Sequence, residues 1–228
     1  MNTETNEKTL TETAIDAANN SNFGRRKFIF GAGLTAAAVA LAACAGDDKN
    51  DVNAGGGDDE GGDIPAGDLD ILAFATGLEL LAVGTYQAAL DAATSGALGD
   101  IPPAGAEFVQ TALNQHQEIA DALNGVLTGA GREEVTEANA DVKAAVVDPA
   151  FAAAKNFGDA ANLARTLEIA ASATYLKAVQ SQLTAKPIIR TAAGIQSTGQ
   201  QRVAILNYVL GDYPIPDTFQ KTDAAIAP

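Results

Sequence analysis

The sequence predicts an all-α protein, a four-helix bundle made of two repeated helical hairpins. Three observations predict it. Leu78–Tyr86 reads Leu-Glu-Leu-Leu-Ala-Val-Gly-Thr-Tyr and Leu167–Tyr175 reads Leu-Glu-Ile-Ala-Ala-Ser-Ala-Thr-Tyr, so Leu, Glu, Ala, Thr and Tyr recur at one spacing. A second pair, Gln117–Leu127 and Gln200–Leu210, shares Gln, Leu-Asn and Val-Leu. Apolar residues recur at helical spacing through these segments, and no run alternates as a strand would.

The front of the chain reads as an address. Residues 1–24 are polar and rich in Thr, Asn and Glu. Gly24-Arg25-Arg26-Lys27-Phe28-Ile29-Phe30 then leads into a small apolar run to Ala43. That run is too short and too alanine-rich for a membrane span, which takes about 20 apolar residues. A basic flank, an apolar centre and small residues make a signal peptide over 1–43. Arg25 and Arg26 followed by Lys-Phe-Ile resemble the twin-arginine export signal. Leu41-Ala42-Ala43-Cys44 resembles the bacterial lipobox, which implies a lipid on Cys44 and a protein exported to the cell envelope, in the periplasm or on the outer surface. Cys44 is the single cysteine, so no disulfide is expected and packing must hold the mature domain.

Residues 44–67 read as a tether. After Cys44 they hold Gly55-Gly56-Gly57, Gly61-Gly62, seven acidic residues and one lysine. Such a stretch buries too little apolar surface to fold, and its charge extends it. Residues 1–43 hold four acidic and four basic side chains, so the net charge of −15 belongs to the mature part. That excludes nucleic acid as a partner and leaves the lipid anchor as the only expected route to a membrane, because polyanions and anionic lipid both require a basic face.

Residues 68–219 read as the bundle and 220–228 as a C-terminal tail. Helix one starts near Asp68 and stops in Thr94-Ser95-Gly96. Helix two runs over about 104–129, closed by Gly129 and Gly131. Residues 132–147 form a long connection or short helix, and Asp148-Pro149 reads as a helix start. Helix three covers about 159–185. Lys186-Pro187 opens helix four, which ends at Leu210-Gly211. The chain after it, with Pro214, Pro216 and Phe219, is expected to lie extended on the bundle. The high alanine content is expected to let the helices approach closely.

Glu79 on helix one and Glu168 on helix three are lone carboxylates in apolar surroundings. Carboxylate-bridged metal bundles take one Glu from each of two helices and Glu-x-x-His from each of the other two. The i, i+3 spacing sets both ligands on one helix face. Segments Leu78–Leu90, Leu167–Val179, Gln115–Leu127 and Thr198–Leu210 resemble the ferritin-like domain family of exported bacterial and desiccation-related proteins. The closing Gly211–Phe219 is similar to that family's tail. The resemblance implies a two-metal centre, and this chain departs from it. Aligned on Leu123, the helix-two motif falls on His116-Gln117-Glu118-Ile119. Aligned on Leu206, the helix-four motif falls on Gly199-Gln200-Gln201-Arg202. Glu79 and Glu168 remain of six expected ligands, and His116, the only histidine, stands at a glutamate position.

Three arrangements follow for the bundle centre. Glu79 and Glu168 share a metal-free polar network with Arg202, His116 and the tyrosines Tyr86 and Tyr175, which lie two turns beyond the glutamates on the same faces. Alternatively, Glu79, Glu168 and His116 hold one weak divalent ion, iron or manganese. In the third, the carboxylates are separate. Arg202 favours the first, because a guanidinium brings charge and a fork of donors to where a metal would sit. No catalytic residue and no cofactor are expected. The chain has no phosphate-cradling glycine loop, no nucleophile beside a base and no CxxC. Two functions remain: a non-catalytic, lipid-anchored envelope module with a binding or stress-related role, or a metal-binding or oxidase protein with a rebuilt site. A homo-oligomer is compatible with either. The sequence names no protein or small-molecule partner.

Overall fold

The computed structural model describes residues 63–227. The expected signal peptide, Arg25, Arg26, Cys44 and nearly all of the tether lie outside the described residues. Four long helices dominate: α1 (Ala66–Thr94), α2 (Pro103–Gly129), α5 (Phe157–Ser181) and α6 (Lys186–Val209). Between the hairpins lie α3 (Ala140–Val142), a π turn (Lys143–Val147) and α4 (Asp148–Ala153). No strand occurs among the described residues. The architecture is all-α, with α1 packed along α2 and α5 along α6.

Helix ends follow from local chemistry. Gly131 and Gly211 adopt φ of 75° and 84°, the left-handed turn that lets a following N–H reach back to an orphan carbonyl. Arg132 N donates to Leu127 O at 2.9 Å and Asp212 N to Asn207 O at 2.8 Å. Asn156 caps α5 by accepting from Asp159 N at 3.0 Å.

Four details of the sequence reading are refined. Helix one begins at Ala66, two residues ahead of Asp68. Asp68 sits inside its first turn, 2% exposed, and its carboxylate accepts from Thr184 N, Thr184 Oγ1 and Ala185 N at 2.8–3.2 Å. That clamp explains the second point. Helix three stops at Ser181, short of 185, because the backbone of Thr184 and Ala185 turns to meet Asp68. Third, Asp148-Pro149 opens α4 as expected, but from a turn that is already helical and without a side-chain cap. Asn139 provides the cap, accepting from Val142 N at 3.0 Å. Asp148 N bonds Lys143 O, five residues back, a widened turn that accommodates the following proline ring. Fourth, the chain after α6 lies against the bundle, with Asn207 donating to Pro214 O, Ile226 N donating to Thr174 Oγ1 and Ile226 lining the bundle's cavity, but Tyr213, Ile215 and Phe219 are 75%, 69% and 82% exposed.

The two ends of the bundle differ. Leu69, Leu72, Leu123, Leu127, Leu183 and Ile188 form a close-packed apolar cluster where the α5–α6 turn meets the start of α1. The opposite end holds a cavity of about 330 Å³. Alanines from α1, α2 and α5 stand among its lining residues. The candidate site lies between the two ends.

Candidate functional site

Glu79 from α1 and Glu168 from α5 face each other at the bundle centre, each 2% exposed. The His116 ring from α2 lies between them. Its Nδ1 is 2.5 Å from Glu79 Oε2 and its Nε2 is 3.0 Å from Glu168 Oε1. Arg202 on α6 donates from Nε to Glu168 Oε1 at 2.8 Å and from Nη1 to Gln115 Oε1 at 3.0 Å. The tyrosines cross between hairpins. Tyr86 donates to Glu168 Oε1 at 2.8 Å, and Tyr175 donates to Glu79 Oε1 at 2.7 Å. The Tyr86 ring also stacks on His116, centroids 5.5 Å apart.

The electrostatics are those of a closed network. Burial pushes the His116 pKa down, but hydrogen bonds to Glu168 and Glu79 and their charge outweigh burial and raise it to about 9. At neutral pH the ring is therefore an imidazolium donating from both nitrogens. Burial pushes Glu168 up, yet His116 and Arg202 hold it below the usual carboxylate range. Burial and the facing carboxylates drive both tyrosines well above 10. Two carboxylates and two cations balance, which is the condition for burying such charges.

The family model for the ferritin-like domain matches residues 67–212, most of the chain. The chain belongs to the ferritin-like domain family. No curated protein and no solved structure gave a match.

The two-metal centre that a ferritin-like bundle implies does not fit the residues present. A metal site points carboxylate oxygens and neutral imidazole nitrogens at a shared cation. Here both oxygens of Glu79 accept from protein donors, and Glu168 Oε1 accepts from three. Both imidazole nitrogens are committed as well. The place of a ligand is taken by a guanidinium. Among the described residues no group of three or more His, Cys, Asp or Glu is arranged to hold a metal ion.

Gly199, where the helix-four motif would carry glutamate, is closed in a different way. A Cβ there would lie 2.3 Å from Ser172 Oγ. Backbone and hydroxyl approach closely, so even an alanine cannot enter without movement. Ser172 Oγ and Glu168 Oε2 are buried without a hydrogen-bond partner.

Sequence reasoning missed Gln115, Ser172 and Asp68. Gln115 precedes His116 and carried no repeat signal, since Thr198 stands at its equivalent position. Ser172 replaces Val83 in the repeat, and that polar substitution in an apolar stripe was the available clue. Glu118 is exposed on α2, away from the network.

Proposed function

We propose that this protein is an exported, lipid-anchored ferritin-like module of non-catalytic role, whose bundle centre is a metal-free polar network in place of a two-metal site. The observation that carries this reading is the Arg202–Glu168 bond of 2.8 Å. A fixed guanidinium against the bridging carboxylate supplies the positive charge that the family's metals would supply. His116 supplies the second. The envelope location and the anchor on Cys44 rest on the sequence signals ahead of the domain and on the acidic tether. The role is binding or stress-related protection at the cell envelope.

The test is calorimetric. Melting curves of the purified protein with and without chelator are expected to coincide, because a ligand bound only by the folded state raises the midpoint. A drop of several degrees on chelation, with iron or manganese found by elemental analysis, overturns the reading. For the export signal, mass spectrometry is expected to find Cys44 as an acylated first residue, and Cys44→Ala is expected to leave the membrane fraction.

The alternative is a rebuilt iron or manganese site from Glu79, Glu168 and His116. It draws on one observation, the unpartnered Glu168 Oε2, and requires His116 to give up a proton and both of its carboxylate partners.

A further inference from the structure

The helical run between the hairpins, Ala140–Ala153, is attached at its two ends and held lightly in between. Ahead of it, Asn124 holds Val135 through two bonds of 2.9 Å, and Asn139 N donates to Gly77 O on α1 at 2.9 Å. Behind it, Ala154–Asn156 leave the helical path and Asn156 caps α5. The run therefore spans from α1 at Gly77 to the start of α5 at Phe157.

Its polar bonds stay within it and its cap. Val142 N and Lys143 N donate to Asn139 at 3.0 Å, Lys143 Nζ pairs with Asp148 at 2.6 Å, and Asp148 N reaches Lys143 O. Among the described residues no hydrogen bond or ion pair ties 140–153 to a long helix. Three larger apolar side chains dock it: Val147 is 6% exposed, and Val142 and Phe151 line the cavity. Lys143–Val146 and Asp148-Pro149 are exposed.

Such a segment lifts at a cost far below that of unfolding the bundle, because few buried contacts and no polar bond to the long helices are lost. It also carries a weak point of its own. The π turn displaces the regular helical bonds, and Pro149 brings no N–H to them. A run this short is marginal as a free helix in water.

We infer that Ala140–Ala153 is a flap on the cavity wall, which lifts about Asn139 and Ala154–Asn156 while the four long helices stay packed, and so opens the cavity between α1 and α5. No flap residue bonds to Glu79, Glu168, His116 or Arg202, so the inference is independent of the metal question. The competing way in passes Ile205, Tyr208 and Val209 at the exposed end of α6, which also line the cavity.

The test is thiol labelling of the full chain by N-ethylmaleimide under native conditions. Cys44→Ala removes the native thiol. Ala161→Cys then reports the cavity wall on α5, and Ala192→Cys reports the apolar cluster at the closed end; the parent alanines are 5% and 2% exposed. Ala161→Cys is expected to react at least tenfold faster than Ala192→Cys. Its rate should also depend less on sub-denaturing urea, since lifting a flap exposes less surface than unfolding the bundle. Val147→Ala loosens the flap at a residue outside the cavity lining. It is expected to speed labelling of Ala161→Cys at least fivefold and to leave Ala192→Cys unchanged. If Ala161→Cys does not fold, Ala164→Cys on the same wall takes its place. Amide exchange gives a second reading: residues 143–153 are expected to exchange at least tenfold faster than the middles of α1 and α5. Labelling of Ala161→Cys that ignores Val147→Ala marks entry past α6 and overturns the inference. So does equal acceleration of both cysteines, which marks opening of the whole bundle, and so does exchange in 143–153 as slow as in α1.

Discussion

The two hairpins contribute the same anion and the same phenol but different cations. From α1 and α2 come Glu79, Tyr86 and His116; from α5 and α6 come Glu168, Tyr175 and Arg202. The first hairpin's positive charge titrates and the second's does not. The carboxylates differ too. Glu79 uses both oxygens, while Glu168 concentrates three donors on Oε1 and leaves Oε2 free. A duplicated scaffold has thus kept its symmetric half, the Glu and Tyr of α1 and α5, and diverged in the half borne by α2 and α6. The function of the centre is to be sought in that divergent half.

The strongest way to break this comparison is to remove the permanent cation. Arg202→Met is expected to cost about 3–5 kcal/mol at neutral to alkaline pH, the range for breaking a buried pair from one side. The loss shrinks in acid, where the abandoned carboxylates take up protons. The triple change Glu79→Leu, Glu168→Leu and Arg202→Met is expected to recover much of it. Urea unfolding across pH measures both, and a neutral single variant defeats the network.

The titrating cation gives the next effect. The pKa of His116 rises from 6.5 to about 9 on folding. Its contribution is therefore complete below pH 6.5 and lost as pH climbs through 9, about 3 kcal/mol in all. Glu168 works in the opposite sense: its lowered pKa gives stability above its ordinary value near 4.5 that fades as pH falls through the folded value. Stability should be greatest between about pH 4.5 and 6.5. His116→Gln should flatten the alkaline limb of chemical denaturation plotted against pH, and an unchanged limb would show that another group carries it.

The tyrosines sharpen the contrast between the carboxylates. Tyr175→Phe strips Glu79 Oε1 of the one donor shown for it and is expected to cost about 2 kcal/mol, whereas Tyr86→Phe leaves Glu168 Oε1 with His116 and Arg202 and is expected to cost about 1. Equal losses in thermal denaturation would remove the asymmetry. The smallest effect concerns the close approach of α5 and α6. Gly199→Ala is expected to cost about 1 kcal/mol net, overpacking against Ser172 partly offset by better helix propensity. Adding Ser172→Ala removes the 2.3 Å clash and an unpartnered hydroxyl, so the double variant should be at least as stable as the parent.

The repeat made the fold legible, because two copies of Leu-Glu-x-x-Ala-x-x-Thr-Tyr mark α1 and α5 and the paired segments Gln117–Leu127 and Gln200–Leu210 mark α2 and α6. It also made the aligned frame legible, and that frame brought Arg202 and His116 into view beside Glu79 and Glu168. What stayed hidden depends on contacts between segments far apart in sequence. Asp68 reads as a helix start, yet its partners lie at Thr184 and Ala185. Asn124 and Asn207 recur as Leu-Asn, but only the fold shows that both hold the chain after their helix, at Val135 and Pro214. Asp148-Pro149 marked the start of α4 correctly, but not the capped turn at Asn139 that leads into it. The cavity was invisible for a different reason: alanine permits both close packing and empty space, and composition does not choose between them.

Asp68 has a mechanical consequence. It stands three residues into α1, where any pull from an envelope anchor would enter the domain. A force on a free helix end peels that helix away turn by turn. Here the first turn is gripped by the Asp68 carboxylate, which holds the backbone and hydroxyl of the α5–α6 turn. Under the proposed anchor, tension arriving at α1 would reach the second hairpin through the hydrogen bonds that Asp68 accepts from Thr184 and Ala185.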